Sequence, residues 1–543
     1  MKFEEYFSFE AIVGDLIRWR VNGKGTRDEN GRRDVEKVLP ARKAWCRAGV
    51  KDRKGVAPEV VRRQAIWRTV GKCCQCGNVA STNVASSQLR SRHARPLPLR
   101  WVQNLMKLVE EVQGAVFSGK VVFEEPKMFK IAKGREGGVM QYREVASFER
   151  LADRVILSRM TAYVRDRLEG VLSDRCYSFR RDRNVTHQLA VTRLQEFRER
   201  FPAGSLFVAE CDIKKFFDSI SHEVVRRRWR EVGFEDAAGK VLEAYLGVYA
   251  VGEAVAQQRD PPGGMRRGLP QGGSFSTVLA NLVLAEADRA VQDVDDGRLF
   301  YARYCDDVVF VHPDEAVCRH AMDAYAAALA KLELPMHAVR PFVYKPVDGS
   351  STEYYSIKSK GPFRWREAGK GEVDCAPWVS FLGSQVRYDG ETRIRRESIE
   401  KHIRSLGRET AKAVRELQAQ GGKRRSRGDR PPVAEWFARF RNRLIAKGVG
   451  YVTAKVKDCD MCWAGAFPNV TDCAETKMQM RRLDRVREGM LAKVASMLPA
   501  RHFMTGHRYK GRPFSYYGFL EKAVRPTNMA RRLRVSTLPY SEL

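Results

Sequence analysis

A chain of 543 residues is too long for one ordinary core, so roughly two to four domains are expected, and its 43% hydrophobic content is enough to bury them. The formal net charge of +32 is spread along the chain and implies a polyanionic partner, with nucleic acid as the first candidate. The start carries acidic residues where a secretion signal needs a basic flank, and no run of about 18 apolar residues follows. These features predict a cytoplasmic protein with no membrane segment.

The cysteines do not predict a disulfide framework, because 12 of them in so long a chain are few and a cytoplasmic setting keeps them reduced. Cys73-Cys74-Gln75-Cys76 and Cys459-Asp460-Met461-Cys462 each have the spacing of half a zinc site. Neither has a matching half nearby. Buried thiols are therefore favoured over a structural zinc shared by the two segments.

Residues 1–100 are rich in Arg and Lys and carry breakers at Gly23-Lys24-Gly25 and Asn30-Gly31. We interpret them as a basic extension of undetermined fold. A solvated charged face is the alternative, and the sequence does not decide between the two.

From Trp101 onward, helix and strand signals alternate. Residues 101–116 have the period of an amphipathic helix, residues 140–145 that of a strand with Arg143 facing inward, and residues 151–172 that of a second helix. A loop of interleaved aromatic and basic residues follows, and Arg180 within it offers forked donors that suit phosphate oxygens.

Residues 206–212 predict a short apolar strand that ends in the carboxylate of Asp212. Further on lies Gly268-Leu269-Pro270-Gln271-Gly272, a loop whose glycines let a ligand approach the backbone closely. Apolar residues then recur with helical period, so we expect a helix to begin near Ser274 or Ser276, either of which can cap it. A Walker-type phosphate loop is excluded because its Gly-Lys-Ser/Thr ending is absent.

Asp306 and Asp307 are adjacent carboxylates between two strand-like runs. Neighbouring side chains of a straight strand point to opposite faces, so both can serve one site only at a turn, such as a β-hairpin tip. Two negative charges there favour a cation, and Mg²⁺ is held by one or two carboxylates with substrate phosphates. With Asp212 they would form a cluster able to hold two Mg²⁺ ions, as two-metal phosphoryl transfer requires. An exposed polar turn is the alternative for the pair alone.

In this order and spacing, the segments resemble the motifs of reverse transcriptases. Asp212 with Phe216-Phe217 is similar to motif A, the loop from Gly268 to Gly272 with Asn281 to motif B, and Tyr304-Cys305-Asp306-Asp307 to motif C. Val379-Ser380-Phe381-Leu382-Gly383, before a turn at Asp389-Gly390, resembles the primer grip. The resemblance covers residues 120–390. It implies an α+β right-hand polymerase with fingers, a palm of antiparallel sheet and helices, and a helical thumb.

The same resemblance implies an RNA-directed DNA polymerase that uses two Mg²⁺ ions and deoxynucleoside triphosphates to make DNA on an RNA template. Asp212, Asp306 and Asp307 would be the catalytic carboxylates that bind the metal, with the backbone carbonyl of Ile213 as a further ligand. Phe217 matches the aromatic gate whose ring takes the space of a 2′-hydroxyl. Further nucleotide-binding positions would be Gln271 and Gly272 and, with a plain surface cation as the alternative for each, Arg143, Arg180 and Lys345.

Fingers segments at Tyr142-Arg143-Glu144 and Tyr177-Ser178-Phe179-Arg180 are similar to those of bacterial reverse transcriptases, which include retron, group II intron and defence-associated enzymes. Cys305 stands where retron and intron enzymes usually have Ala, and the His-Asn-His and thumb Val-Thr-Gly signatures are absent. These departures favour the defence-associated, unknown-group enzymes, with a dedicated non-coding RNA as template and a role in antiviral defence. A retron or intron maturase-type enzyme and a catalytically silent RNA-binding scaffold stay as alternatives. Oligomerisation is left open.

Beyond the palm, apolar spacing predicts thumb helices around Ile399 and Leu483, separated by a basic link over residues 421–432. The aromatic and basic tail either binds single-stranded nucleic acid or caps the thumb. The predicted domains are therefore a basic extension over 1–100, fingers and palm over 101–390, a thumb over 391–500 and a tail over 501–543. Arginines expected to face a duplex backbone are Arg481, Arg482, Arg485 and Arg487.

Overall fold

The computed structural model describes residues 1–21, 26, 33–39, 63–68, 70, 100–136, 139–182, 184–249, 266–341, 358–369, 372–421, 433–449, 469–498 and 515–517. Its α-helices are α1 (Phe9–Val21), α2 (Arg100–Ser118), α3 (Leu151–Leu168), α4 (His187–Glu199), α5 (Phe216–Ser219), α6 (His222–Val232), α7 (Asp236–Gly247), α8 (Ser274–Gln292), α9 (Glu315–Lys331), α10 (Arg396–Gly421), α11 (Val433–Val449) and α12 (Ala474–Ala495). Its strands are β1 (Lys127–Glu136), β2 (Val139–Ser147), β3 (Phe207–Cys211), β4 (Phe300–Tyr304), β5 (Asp307–His312), β6 (Val339–Arg340), β7 (Ser359–Trp365), β8 (Cys375–Ala376), β9 (Trp378–Phe381), β10 (Ser384–Arg387) and β11 (Thr392–Ile394).

The chain forms two compact units, each assembled from three separate stretches. The first comprises Met1–Arg183, Cys211–Asp296 and His320–Ala338. The second comprises Asn184–Glu210, Gly297–Arg319 and Val339–Leu543.

Helix α3 is the central element of the first unit, in contact with α1, α2 and α8. It is buried around most of its circumference, from Val155 to Leu168, as expected of a helix covered on several sides. The ring of Tyr163 meets Phe3 edge-on, with the centroids 5.0 Å apart. The predicted helix over residues 151–172 is confirmed, with its last turn ending earlier, at Leu168.

A buried ion pair fastens α1 to α3. Asp15 is fully buried; its carboxylate lies 2.5 Å from a guanidinium nitrogen of Arg159 and accepts a 2.6 Å hydrogen bond from the Ser158 hydroxyl. Removing Asp15 would deprive the largely buried Arg159 of this acidic partner, whereas removing Arg159 would leave Asp15 paired with Arg18. The described part of the N-terminal stretch therefore packs into the first unit, which its basic composition did not indicate.

A six-stranded sheet forms the core of the second unit, with the strand order β4-β5-β3-β7-β6 and β8 paired to the side of β7. β4 pairs antiparallel with β5, and β3 antiparallel with β7, while β6 and β8 run parallel to β7. Helix α4 packs on β4 through Phe197, whose ring centroid is 5.4 Å from that of Phe300. Sheet and helices together confirm the predicted α+β class.

The ribbon of β1 and β2 belongs to the first unit and is exposed along most of its length. The side chains from Val139 to Glu144 are all exposed, and Val145 and Ala146 at its base are progressively buried. The strand predicted at residues 140–145 is confirmed, but the prediction that Arg143 faces inward is wrong. A two-stranded ribbon has no covered face at that point, so the alternating pattern did not mark an interior.

Two further layers complete the second unit: a three-stranded antiparallel sheet, β9-β10-β11, and the helices α10, α11 and α12. The turn predicted at Asp389-Gly390 joins β10 to β11. Leu406 of α10, Leu444 of α11 and Val494 of α12 share one apolar cluster, so the two predicted helices pack with α11, which the sequence analysis did not predict. Among the described residues, no helix combines the length and apolar character that crossing a membrane requires.

The described part of the tail, residues 515–517, packs against this bundle. Tyr516 is 1% exposed, and its hydroxyl lies 2.7 Å from Nε2 of His402. The carboxylate of Asp484 accepts hydrogen bonds from the backbone amides of Tyr516 and Tyr517. At these residues the tail caps the bundle.

Candidate functional site

The paired carboxylates of the second unit lie where the sequence predicted them, at the tip of a β-hairpin. Tyr304 pairs with Asp307 as the last rung between β4 and β5, which leaves Cys305 and Asp306 as the turn. Asp306 is half-buried and Asp307 is exposed. Cys305 has φ +60°, a left-handed backbone conformation that residues other than glycine adopt only at an energetic cost. Such backbone strain is concentrated at functional sites.

A buried arginine supports this turn. Arg303 is 0% exposed, and its Nη1 donates a 3.2 Å hydrogen bond to the carbonyl oxygen of Cys305. Its positive charge offsets part of the repulsion between two adjacent carboxylates. The sequence analysis missed this residue, although an arginine inside an otherwise apolar strand next to two aspartates was a usable signal.

The thiol of Cys305 stays protonated at neutral pH. Burial, followed by the neighbouring negative charge of Asp306, raises its pKa well above the ordinary value. Burial also raises the pKa of the Tyr304 phenol. The residue that differs from the usual motif therefore carries a thiol whose raised pKa disfavours the nucleophilic thiolate.

Asp212 belongs to the first unit and directly follows β3. Its backbone carbonyl accepts a 3.0 Å hydrogen bond from the amide of His337, and the amide of Lys214 donates to the carbonyl of Pro335 at 2.7 Å. Ile213, between them, is 2% exposed and forms an isolated bridge with Met336. The main chain around Asp212 is thus held on both sides, while its carboxylate is half-buried.

Phe217 lies on α5, a single helical turn that begins after Lys215, whose φ of +45° is left-handed. Phe216 is buried, whereas Phe217 is half-buried, with the two ring centroids 5.2 Å apart. The buried ring anchors the turn and the partly exposed one is available to a ligand.

The glycine-rich loop is paired with the segment that carries Phe217. The amide of Leu269 donates to the carbonyl of Phe217 at 2.9 Å, and the amide of Gly268 donates to the carbonyl of Ile220 at 2.8 Å. Nε2 of His222 lies 2.8 Å from the carbonyl of Gly268. Burial lowers the pKa of His222 to about 4, so its imidazole is neutral and donates this bond.

Gln271 and Gly272 reach the base of the β1–β2 ribbon. The carbonyl of Gln271 accepts a 2.8 Å hydrogen bond from the amide of Ala146. A Cβ on Gly272 would lie 2.5 Å from Cγ1 of Val145, and the φ of this glycine is +102°. A glycine is therefore required where loop and ribbon meet.

A side-chain contact joins the loop to α5 as well. Nε2 of Gln271 donates a 3.0 Å hydrogen bond to Oδ1 of Asp218, the residue after Phe217. The sequence analysis missed Asp218 because its partner lies 53 residues away along the chain.

The three weaker candidates differ in their surroundings. Arg143 is exposed on β2. The guanidinium of Arg180 binds Glu169 at 2.8 Å and the carbonyl of Ser173 at 2.6 Å, so it holds its own loop together. Lys345 lies outside the described residues, as do both Cys-x-x-Cys segments. Nucleotide contacts by these three residues stay predictions.

Residues 140–339 match the family model described as "Reverse transcriptase (RNA-dependent DNA polymerase)". That span contains Arg143, Asp212, the Gly268–Gly272 loop and the β4–β5 hairpin.

Two curated proteins are similar over shorter stretches. The "Putative COX1/OXI3 intron 1 protein" of Saccharomyces cerevisiae is 25% identical over 228 residues, which are 40% of this chain and 24% of that protein. "Protein YkfC" of Escherichia coli is 29% identical over 147 residues, 26% of this chain and 36% of that protein. The matches thus span about a quarter and about a third of these relatives' lengths.

Among solved structures, telomerases are similar at low identity. Apo telomerase of Candida tropicalis aligns with 74% of this chain and 64% of its own at 11% identity and a TM-score of 0.37. Telomerase of Candida albicans, in complex with a telomeric RNA fragment, aligns with 75% of this chain and 61% of its own at 12% identity and a TM-score of 0.35.

Proposed function

We propose that this chain is an RNA-directed DNA polymerase that extends a DNA strand on an RNA template by nucleotidyl transfer. The observation that carries the proposal is the match of residues 140–339 to the reverse transcriptase family model, which includes the aspartate after β3 and the paired aspartates of the β4–β5 hairpin. In the sheet, β3 and β5 are hydrogen-bonded neighbours.

Asp212, Asp306 and Asp307, with the carbonyl of Ile213, are the proposed ligands of two Mg²⁺ ions. Oxygen donors suit this hard cation, and a turn with two adjacent carboxylates needs positive charge near it. When bound, the ions would supply charge stabilisation to the attacking and leaving oxygens. The chain's own contribution is to hold the carboxylates in place, through Arg303 under the hairpin turn and through the paired backbone around Asp212.

Phe217, Gln271 and Gly272 form the proposed nucleotide-binding surface of the first unit. The half-buried ring of Phe217 would take the space of a 2′-hydroxyl and so favour deoxynucleotides. The polar Gln271 and the exposed Gly272, which has no side chain, would allow the incoming nucleotide to lie against the loop.

The nucleic-acid partner is supported by a cationic face on α10. Lys401, Arg404, Arg408, Lys412 and Arg415 recur three or four residues apart and are all exposed. In the part of the chain that the structure describes, none of the five has an acidic partner, whereas Glu409 of the same helix is bound by Arg443. Between Lys401 and Arg415 these five side chains therefore form a positively charged helix face, which suits a phosphate backbone.

This face differs from the α12 arginines that the sequence analysis selected. Arg487 is only 5% exposed and binds Glu488, so the prediction that it faces a duplex is wrong. Arg482 is paired with Glu400, and the guanidinium of Arg481 lies 5.0 Å from the ring centroid of Tyr517.

For the template we propose a dedicated non-coding RNA, with a role in antiviral defence. The support is the motif-C cysteine and the absence of the intron and retron signatures from the sequence. An intron maturase-type enzyme is the second candidate, and the similarity to a yeast protein named for an intron favours it. RNA that co-purifies with the chain from its native host separates the two, because a single enriched RNA supports the first and a broad sample of transcripts the second.

The central test is the double change Asp306→Ala with Asp307→Ala. Primer extension on an RNA template with deoxynucleotides should fall by about a thousandfold or more, because several kcal/mol of charge stabilisation are lost. RNA affinity should stay within about twofold of the wild type. The matched control, Asp293→Ala with Asp323→Ala, removes two exposed charges elsewhere and should retain activity. Incorporation by the hairpin variant at the control's rate would refute the assignment.

A further inference from the structure

Asp218 is the one acidic side chain of the short helix α5, and it lies directly after the proposed sugar gate, Phe217. It is half-buried, and its Oδ1 accepts a 3.0 Å hydrogen bond from Nε2 of Gln271. Neither the family motif nor the sequence analysis gave it a role. Its position links the gate helix to the glycine-rich loop through side chains.

The chemistry of this contact fixes the orientation of an amide. An ionised carboxylate only accepts hydrogen bonds, whereas a Gln side chain carries a donor end and an acceptor end. Asp218 therefore holds the NH₂ end of Gln271 toward α5 and leaves its carbonyl oxygen to face the other way. A neutral side chain in place of Asp218 that both donates and accepts hydrogen bonds would not fix which end of the Gln271 amide faces α5.

Backbone bonds on both sides make the contact part of a continuous frame. On one side, the amide of Leu269 binds the carbonyl of Phe217 itself. On the other side, the carbonyl of Gln271 is bound by the amide of Ala146 at the base of the ribbon. Gln271 is thus restrained at its backbone by the ribbon and at its side chain by the gate helix.

The negative charge of Asp218 acts on a neighbouring phenol, that of Tyr249. Burial, then the negative charges of Asp218 and Glu144, raise the pKa of Tyr249 to about 12. The nearby phenol is therefore neutral, and the hydrogen bond from the amide of Gln271 stabilises the Asp218 carboxylate. A hydrogen bond to a charged group is worth more than one between neutral groups.

We propose that Asp218 is a positioning residue for sugar selection, which acts by holding the Gln271 amide and the Phe217 ring in one fixed arrangement. The proposal rests on the proposed polymerase function. A gate ring discriminates against a 2′-hydroxyl only if the nucleotide is pressed against it from the opposite side. The Asp218–Gln271 hydrogen bond keeps that spacing, so its loss should weaken selection more than turnover.

The test compares Asp218→Ala, Gln271→Ala and the double variant with the wild type, by kcat/KM for a deoxynucleotide and for the matching ribonucleotide. Asp218→Ala should lower the deoxy-to-ribo ratio about tenfold, mainly through KM for the deoxynucleotide, because a charge-assisted hydrogen bond is lost. The double variant should have the ratio of Gln271→Ala alone, since Asp218 acts through Gln271. Asp218→Asn, of the same shape, should lower the ratio less. Asp323→Asn is the matched exposed control and should leave it unchanged.

The outcomes separate this proposal from the function on which it rests. Wild-type protein that incorporates neither nucleotide refutes the polymerase proposal and this one with it. Active wild type with an unchanged ratio in both Asp218 variants refutes the positioning role alone. Additive effects in the double variant, or a thermal unfolding midpoint that falls in proportion to the ratio, would show that Asp218 only supports the fold.

Discussion

Gly272→Ala tests the junction between the glycine-rich loop and the β1–β2 ribbon. The backbone at this residue has φ +102°, which costs a residue with a Cβ about 2 kcal/mol. The added Cβ would lie 2.5 Å from Cγ1 of Val145, so that methyl group must retreat by about 1 Å. Valine is stiff about χ1, and leaving its rotamer costs about 1 kcal/mol more.

These costs exceed the net worth of the hydrogen bond from the Ala146 amide to the Gln271 carbonyl, which is about 1 kcal/mol. We therefore expect the base of the ribbon to separate from the loop. Amide hydrogen exchange of the peptide that contains Ala146 measures this directly, and its protection should fall in Gly272→Ala. Primer extension should fall in the same variant, because Gln271 loses its backbone restraint.

Two companion variants divide the effect into its causes. Val145→Ala combined with Gly272→Ala removes the clashing methyl group but leaves the backbone strain, so part of the protection should return. Gly233→Ala is the control, since Gly233 also has a positive φ, +74°, with no atom within 4 Å of the added Cβ. It should lose stability but keep the protection of Ala146. If Gly272→Ala behaved like Gly233→Ala in both measurements, the junction would not exist as described.

Phe217→Ala should raise ribonucleotide use relative to deoxynucleotide use, and an unchanged ratio in single-nucleotide kinetics would remove Phe217 from the gate role. The double variant Arg404→Gln with Arg408→Gln should bind RNA more weakly and reduce the magnitude of the slope of log affinity against log salt by about 1.4 to 1.8, since each phosphate contact contributes about −0.7 on single strands and −0.9 on duplex. A slope equal to that of the wild type would exclude the α10 face from RNA binding. The free energy of unfolding should fall as the pH drops from about 6.5 to about 4, because burial lowers the pKa of His222 and of His402 to about 4 and the unfolded chain takes up protons first. Each of the two histidines contributes on the order of 3 kcal/mol at most to this change in the free energy of unfolding. His222→Gln should make the free energy of unfolding, measured by urea titration, depend less steeply on pH; a dependence as steep as that of the wild type would contradict the buried neutral state of His222.

Local patterns were enough to predict the elements that carry the proposed chemistry. The β4–β5 hairpin followed from two strand-like runs around adjacent aspartates, and α8 from apolar spacing after a glycine-rich loop. Each of these signals lies within a few residues of the element it describes. The α+β class and the hairpin are accordingly confirmed.

Long-range partners could not be predicted in the same way. The sequence analysis missed Asp218 because no residue next to it in the sequence indicates its partner, Gln271. The burial of Asp15 was likewise not predicted, because its partner Arg159 lies in α3, far along the chain. Arg143 was placed inward because alternation predicts two faces of a strand but not whether either face is covered. Arg487 was assigned to the surface because a basic run does not indicate which of its members turns toward a neighbouring acid.

The alternation of the two units along the chain limits how this protein can be dissected. The chain passes between the units after Arg183, Glu210, Asp296, Arg319 and Ala338, so no single cut releases either one whole. A fragment limited to the family-matched span, residues 140–339, would lack α1 and α2, which pack on α3, and would lack β7, which pairs with β3. Such a fragment should therefore aggregate or stay unfolded, and mapping of activity should rely on point substitutions in the full chain. Partners so distant in sequence also predict slow folding, because long loops must close before their contacts form.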